Sequence, residues 1–485
     1  MYYDKSGARI LLGTLSDGLF AFDLKTRKII SIRSPYIPLQ PILAIEKNTD
    51  STIIVGVDGQ GLLEFDNDFR QLLGKYKEDH DDPYSLNGDG VYHVFRDRYN
   101  RVWVSTYGGG LSYFGQKPTI INHVTNIVNN KYSLGNKTVN RIIQSRNGDF
   151  WFATNNGISR WNMRTNRWER YLENTDHQAK VFLTIAEDGK GNIWGGTYSS
   201  GIYILDGNSG KLMKHYNKIV NESGFSSRFV FDIFLDSEKN VWLGGNHGGL
   251  FCYSPNDDKF RLYDATFDVN KIIEVSKNEM LIVSSYGLVL LNKITGVFEV
   301  LITQYIFNDI IVHDGYYWLA TRGAGMLCYN PRDKSIVTYT IENGLKSNFV
   351  NSIIESNGDL WLGTEMGMTK FDPVNRIVKN YNSEFALSKF AFNSRAVINT
   401  DKNLLMWGTN NGIVYFDPKR TIEHDVNARI FTQDIFVSGQ SIRFVDDIRY
   451  EGRIDDIEKM KFKYYQNTFS LDLIAIAESA EELRC

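Results

Sequence analysis

Short runs of β-branched and aromatic residues, broken at regular intervals by Gly, Asn and Asp, fill this chain almost from its first residue. The stretch 349–381, FVNSIIESNGDLWLGTEMGMTKFDPVNRIVKNY, holds four such runs separated by N-G-D, E-M-G and P-V-N-R turn signals. Apolar runs bounded in this way predict four strands, named a to d in chain order. No useful amphipathic stripe with a 3.6-residue period passes through these segments, which excludes a helical solenoid. The Asn-Gly and Asp-Gly steps ahead of strand b supply positive φ for tight hairpins. The glycine after strand b lets the chain bend where a Cβ would clash.

The same unit returns ten times, as ILLGTLSDGL (10–19), IIVGVDGQGL (53–62), VWVSTYGGGL (102–111), FWFATNNGI (150–158), IWGGTYSSGI (193–202), VWLGGNHGGL (241–250), LIVSSYGL (281–288), YWLATRGAGM (317–326), LWLGTEMGM (360–368) and MWGTNNGI (406–413). Aligned on Leu11, Ile54, Trp103, Trp151, Trp194, Trp242, Ile282, Trp318, Trp361 and, slightly shifted, Met406-Trp407, the copies recur every 36 to 49 residues. That is the period of a four-stranded propeller blade. Seven of the nine tryptophans stand in the strand b register. An indole buries about 150–250 Å², so the expected role of these residues is to pack blade on blade. Large apolar isoleucines in two copies agree with packing better than with ligand stacking.

Ten blades exceed one ring, since propellers usually close with about four to eight. The long polar linker 116–140 marks a break after the third copy. The expected architecture is therefore all-β. Residues 1–133 form three blades of an incomplete propeller with open strand edges, and 134–422 form a seven-bladed β-propeller of four-stranded blades. The tail 423–485 has period-two strands but no W-x-G-T unit. It has room for about four strands, where a seven-stranded Ig-like β-sandwich needs about 100 residues, so it is expected to be part of such a sandwich. The chain reads as truncated at both ends.

Charge narrows the partners. Fifty-four basic and 57 acidic residues leave −3, with no basic block for phosphates or anionic lipid. Direct contact with nucleic acid or a membrane surface is not expected. The longest apolar stretch, 282–291, falls short of the roughly 20 residues that cross a bilayer. The N-terminal MYYDKSGARILLGT shows no leader pattern, which implies a cytoplasmic protein or a missing N-terminus. Three cysteines in 485 residues build no disulfide framework, and Cys252 and Cys328, in one repeat register, read as buried free thiols. The acidic runs HDD (80–82) and Asp257-Asp258 have no metal-ligand spacing beside them and read as solvated loops. No metal or other cofactor is expected.

The units NGDLWLGTEMGMTKFDP, KGNIWGGTYSSGIYILD and NRVWVSTYGGGLSYF resemble the two-component-regulator propeller repeat of hybrid two-component sensors from gut Bacteroidetes. The tail, especially YYQNTFSLDLIAIA, is similar to the opening of the three-Tyr domain that follows such propellers. The resemblance implies two seven-bladed propellers and a three-Tyr domain forming a periplasmic sensor, followed by a membrane helix, a histidine kinase, a receiver and an AraC-type DNA-binding domain. It further implies an oligosaccharide signal, transcription of a polysaccharide-utilisation locus as output, and a signalling homodimer. This chain lacks a signal peptide, a membrane helix and every kinase residue, so the segment itself is expected to sense rather than catalyse.

Ligands of propellers enter a concave mouth, and the b-to-c turns and d-to-a crossovers are expected on one rim around it. The candidate ligand-binding residues on those turns are Asn155 and Asn156, Tyr198 with Ser199 and Ser200, Asn246 and His247, Tyr286, Arg322, Glu365 with Met366, and Asn410 and Asn411, with Tyr107 on the third copy. Amides and hydroxyls suit sugar hydroxyls, tyrosines suit apolar sugar faces, and Arg322 suits a uronate or sulfate. Two other functions compete: a propeller lyase or glycosidase, and a protein-interaction scaffold. Glycosidases mostly need paired carboxylates, yet Glu365 is the only acid among the seven turns. No tryptophan is followed by Asp, as a WD40 scaffold would require.

Overall fold

The computed structural model describes residues 1–80, 85–97, 100–114, 121–173, 180–217, 223–245, 248–264, 268–284, 286–381, 387, 390–420, 429–445, 448–454 and 456–476. The chain divides into two compact units, Met1–Pro118 and Thr119–Cys485. Strands dominate, and no α-helix occurs among the described residues.

The first unit is an arc of three antiparallel blades, two of four strands and a third with three described strands (Val91–Arg96, Val102–Thr106, Gly110–Phe114). In the second unit seven four-stranded blades form a closed ring. Each inner strand a packs beside the next, and the last, Phe392–Asn399, packs beside the first, Val139–Gln144. After the ring come a three-stranded and a two-stranded sheet built from five strands between Arg429 and Ile476, around Ile435, Val437, Ile442 and Ile448.

The expected boundary at residue 134 moves. Asn122–Val124 is the outer strand of the seventh blade, pairing antiparallel with Gly412–Phe416 through Asn122 opposite Tyr415 and Val124 opposite Ile413. The start of the ring thus completes its last blade and locks the circle with main-chain hydrogen bonds. Period-two pattern could not show this, because a three-residue strand carries almost no alternation.

The hairpin at 357–358 follows the sequence rule. Ser356 and Asp359 face each other, and Asn357 and Gly358 turn with φ of 55° and 86°, the mirror-image turn that matches strand twist. Two register assignments are corrected. Leu281, not Ile282, is the residue equivalent to Trp361: Leu281 lies opposite Ile273 as Trp361 lies opposite Ile354. Leu281 packs with the fifth ring blade, whereas Ile282 packs back on Trp242. Likewise Met406 takes the tryptophan register and packs toward the first blade, while Trp407 faces the sixth, beside Trp361. A one-residue slip in a strand reverses the face, so an alignment on motif letters alone put both residues on the wrong side.

Trp151, Trp194, Trp242, Trp318 and Trp361 are all buried against the following blade. Several indole N–H groups have partners supplied by the a-to-b hairpin: Trp194 donates to Asp188 and Trp242 to Asp236, at 3.0 and 2.9 Å. Cys252 and Cys328 are free and only half-buried; burial, with the Asp236 charge adding at Cys252, pushes their thiols up to about 12 and about 11. They are therefore protonated and unreactive at neutral pH.

Candidate functional site

The rim of the ring is built from the threonine and glycine of the repeat. Thr154, Thr197, Thr321, Thr364 and Thr409 donate their hydroxyls to the carbonyls of Gly157, Gly201, Gly325, Gly367 and Gly412 at 2.7–3.0 Å. The same oxygens accept the turn amides of Asn156, Ser200, Ala324, Met366 and Asn411 at 2.8–3.1 Å. The glycine amides then reach outward: Gly157 donates to the Lys180 carbonyl, Gly201 to Arg228 and Gly325 to Asn348, at 2.8–2.9 Å, and Gly412 donates to Lys137. Each acceptor precedes strand a of the next blade. The b-to-c turns and the crossovers accordingly share one rim, and the turn backbone is committed to ring closure.

Side chains on these turns are left for other work. Tyr198 and Tyr286 are exposed, Tyr198 lying edge-on to Phe229 at 5.7 Å. Met366 and Arg322 are exposed, and Arg322 has no ion-pair partner among the described residues. Three candidates are partly occupied by the fold: Asn155 accepts from Asn140 at 2.9 Å, Asn410 accepts the Ala391 amide at 3.1 Å, and Glu365 accepts from Ser347 at 3.3 Å. The side chain of Asn411 accepts from the Thr125 hydroxyl, just after the closing strand, at 3.4 Å. Asn156 is half-buried. Asn246 and His247 lie outside the described residues. Tyr107 belongs to the arc, where it is exposed and stacks on Tyr92 at 5.8 Å.

Sequence reasoning missed the channel inside the ring, although its signal recurs: VNRII (139–143), VNKII (269–273), FNDII (307–311) and VNSII (350–354). The asparagine sits at a one-residue bulge in strand a. Its amide crosses to the next blade: Asn140 donates to the Phe182 carbonyl, Asn308 to Val350, Asn351 to Phe392 and Asn393 to Val139, at 2.7–2.9 Å. In three of these copies the residue after it brings a charge to the channel, whereas the Ser352 hydroxyl accepts the Trp407 indole N–H at 3.2 Å between the sixth and seventh blades. Arg141 pairs with Asp232 at 3.4 Å and Lys271 with Asp309 at 2.5 Å. Both carboxylates also cross blades, Asp232 accepting the Ile272 amide and Asp309 the Ile353 amide, at 2.8 and 3.1 Å.

The seventh blade departs from this pattern. Between Phe392 and Val397 its strand a advances five residues against two on strand b, and the extra length carries Arg395, at φ 61°, into the channel. There its guanidinium donates to the Phe231 carbonyl at 3.2 Å and to the Asn270 carbonyl, on the third and fourth blades. Burial pushes its pKa below the ordinary arginine value; Asp232 and Asp309 oppose the shift, and Arg141 and Arg322 add to it.

Residues 85–108 and 344–366 match the family described as two component regulator propeller. These are the a and b strands of the third arc blade and the sixth ring blade. Histidine kinase P4 of Formosa agariphila is 23% identical over 287 residues, which is 58% of this chain and 18% of that protein. The chain thus spans under a fifth of that relative. Among solved structures, the extracellular domain of one hybrid two component system from B. thetaiotaomicron is similar with a TM-score of 0.64 and 19% identity, covering 97% of this chain and 68% of the other. A second such domain from that organism has a TM-score of 0.55 and 18% identity, over 97% and 65%. No helix among the described residues is long and apolar enough to cross a membrane. This chain carries two component regulator propeller repeats in the fold of the extracellular domains of hybrid two-component systems.

Proposed function

We propose that this chain is the extracytoplasmic sensing region of a hybrid two-component histidine kinase, that it recognises an oligosaccharide on the rim of the seven-bladed ring, and that the output is control of a polysaccharide-utilisation locus. One observation carries the reading: the turn backbones are consumed by ring closure, whereas Tyr198, Tyr286, Arg322 and Met366 stand exposed on that same rim. Tyrosine faces and polar groups suit a sugar, and ligands favour concave sites such as the mouth of a propeller. The repeat family, the shared fold and the curated histidine kinase relative support the sensor part. Signalling by a homodimer then requires that the sugar favour one arrangement of protomers, since equal affinity for two arrangements shifts nothing.

The hydrolase alternative finds less support. Asp232 and Asp309 are each tied to a cation and a backbone amide, so these two channel carboxylates are not a free acid pair of the kind glycosidases use. Calorimetry and a glycan array on the whole chain test the proposal. Saturable binding without turnover, weakened about tenfold by Tyr198→Ala or Tyr286→Ala, is the expected result. Consumption of the sugar, or binding to no glycan at all, would overturn it.

A further inference from the structure

The charges inside the ring do not balance. Arg141, Lys271 and Arg395 enter the channel from strands a, against Asp232 and Asp309. Asp309 is matched to Lys271 and Asp232 forms an ion pair with Arg141 at 3.4 Å, its Oδ1 making no hydrogen bond, while backbone amides cap both carboxylates. Arg395 is the cation left over: only its Nη1 is engaged, by two carbonyls, and no carboxylate among the described residues pairs with it. Arg322, exposed on the b-to-c turn of the fifth blade, is a second guanidinium with no carboxylate partner among the described residues, and its turn lies on the same rim as the starts of the strands a beside which Arg395 meets Phe231 and Asn270. Its position is fixed by its own backbone, whose amide donates to the Ile306 carbonyl at 2.9 Å while the residue bridges to Phe349. The acid on the neighbouring turn, Glu365, is held by the Ser347 hydroxyl.

A guanidinium held by carbonyls through Nη1 alone, with its Nε and Nη2 hydrogens unspent and a second guanidinium on the rim of the same channel, is a set of donors that favours a planar or tetrahedral oxyanion. We propose that the rim-side end of the ring channel is an acid-group subsite, in which Arg395 and Arg322 receive the carboxylate or sulfate of an acidic sugar. The proposal rests on the sugar-sensing reading above and narrows it to uronate-bearing or sulfated oligosaccharides. The extended strand a of the seventh blade then has a purpose that ring packing does not supply, since the other blades depart from register by one residue at a time or not at all.

The test uses the whole chain with four probes: a galacturonate trimer, a sulfated galactose oligomer, neutral galactotriose and inorganic sulfate. Titration calorimetry and thermal shift are read at low and high salt. The expected result is that both acidic sugars bind about tenfold or more tightly than the neutral one, and that the preference shrinks with salt. Arg322→Gln, at an exposed turn whose backbone bonds it retains, should abolish the preference, and Arg395→Gln should do the same. Where Arg395→Gln lowers the melting temperature of the free protein, Arg322→Gln alone decides. Equal affinity for acidic and neutral sugars, or a preference that survives Arg322→Gln, overturns the subsite and leaves sugar sensing standing. Stabilisation by sulfate that Arg322→Gln removes, with no sugar bound, supports the subsite and overturns sugar sensing. No response to sulfate or to either acidic sugar overturns the subsite.

Discussion

The arc and the ring are made from the same repeat, and Trp103 and Trp361 occupy the same register in each, yet one indole is half-buried and the other fully buried. Trp361 is covered by the next blade through Leu387, Phe390, Phe392 and Phe416. On the third arc blade the matching face remains open: Phe95 and Leu111 are 54% and 60% exposed, and with His93, Trp103 and Ser105 they line an apolar depression of about 330 Å³. The repeat therefore encodes a blade. Its burial is encoded by the neighbour, as expected for quasi-one-dimensional architectures whose stability is a sum of unit and interface terms.

The sharpest way to break the comparison is to remove each indole. Trp361→Ala should cost about 3–5 kcal/mol, because the cavity is walled by a blade that cannot collapse. Trp103→Ala should cost about 1–2 kcal/mol, since water already reaches its face. Scanning calorimetry that resolves the two units checks both. Comparable losses in the two variants would mean that Trp103 is covered in solution.

A middle-sized effect is expected at the closure. Gly412, with φ 97°, donates its amide to Lys137, and a Cβ there would meet the Val124 carbonyl oxygen at 2.2 Å. Gly108 in the arc has φ 75° but open space around the missing Cβ. Gly412→Ala should therefore destabilise the ring by about 2–4 kcal/mol, conformational strain plus a clash. Gly108→Ala should cost the arc about 1 kcal/mol, strain alone. Faster exchange of the amides paired between 122–124 and 413–415 would locate the damage at the closing strand.

Blade identity was legible in the sequence because it is local: turn residues, strand alternation and an apolar tryptophan register all lie within about 35 residues. The rim was legible for the same reason, and Tyr198, Tyr286 and Arg322 are exposed where the turns placed them. What escaped is what only closure creates. The strand Asn122–Val124 pairs with a partner nearly 300 residues away, as the Asn122 to Tyr415 pairing shows. The asparagines of strands a look like ordinary polar positions until seven of these strands face one channel. Arg395 was hidden inside a strand whose extra length has no counterpart in the other repeats. Leu281 and Ile282 were exchanged because both are apolar and only pairing tells the two faces apart.

The smallest contrast lies at the outer strands. Tyr216 of the second ring blade donates to Asp258 of the third at 2.5 Å, joined by Tyr253 at 2.8 Å and Lys214 at 2.5 Å. Tyr76, at the same place in the arc, donates at 2.9 Å to Glu64 of its own blade. Hydrogen bonds from Lys214 and Tyr216 hold the Asp258 carboxyl down at about 2, against about 3.9 in the unfolded chain. A depressed carboxyl contributes stability that is present above the unfolded value and is lost as pH falls through the folded one. The ring should consequently shed part of its stability between about pH 4 and pH 2, and Asp258→Asn should flatten that portion of the curve. Because Asp258 is half exposed, solvent screening limits the shift in ring melting temperature to about 2–4 °C. Glu64→Gln, which severs a bond within one blade, should leave the acid limb of the ring unchanged; a matching change there would show that the tyrosine and carboxylate pair, not the bridge between blades, sets the response.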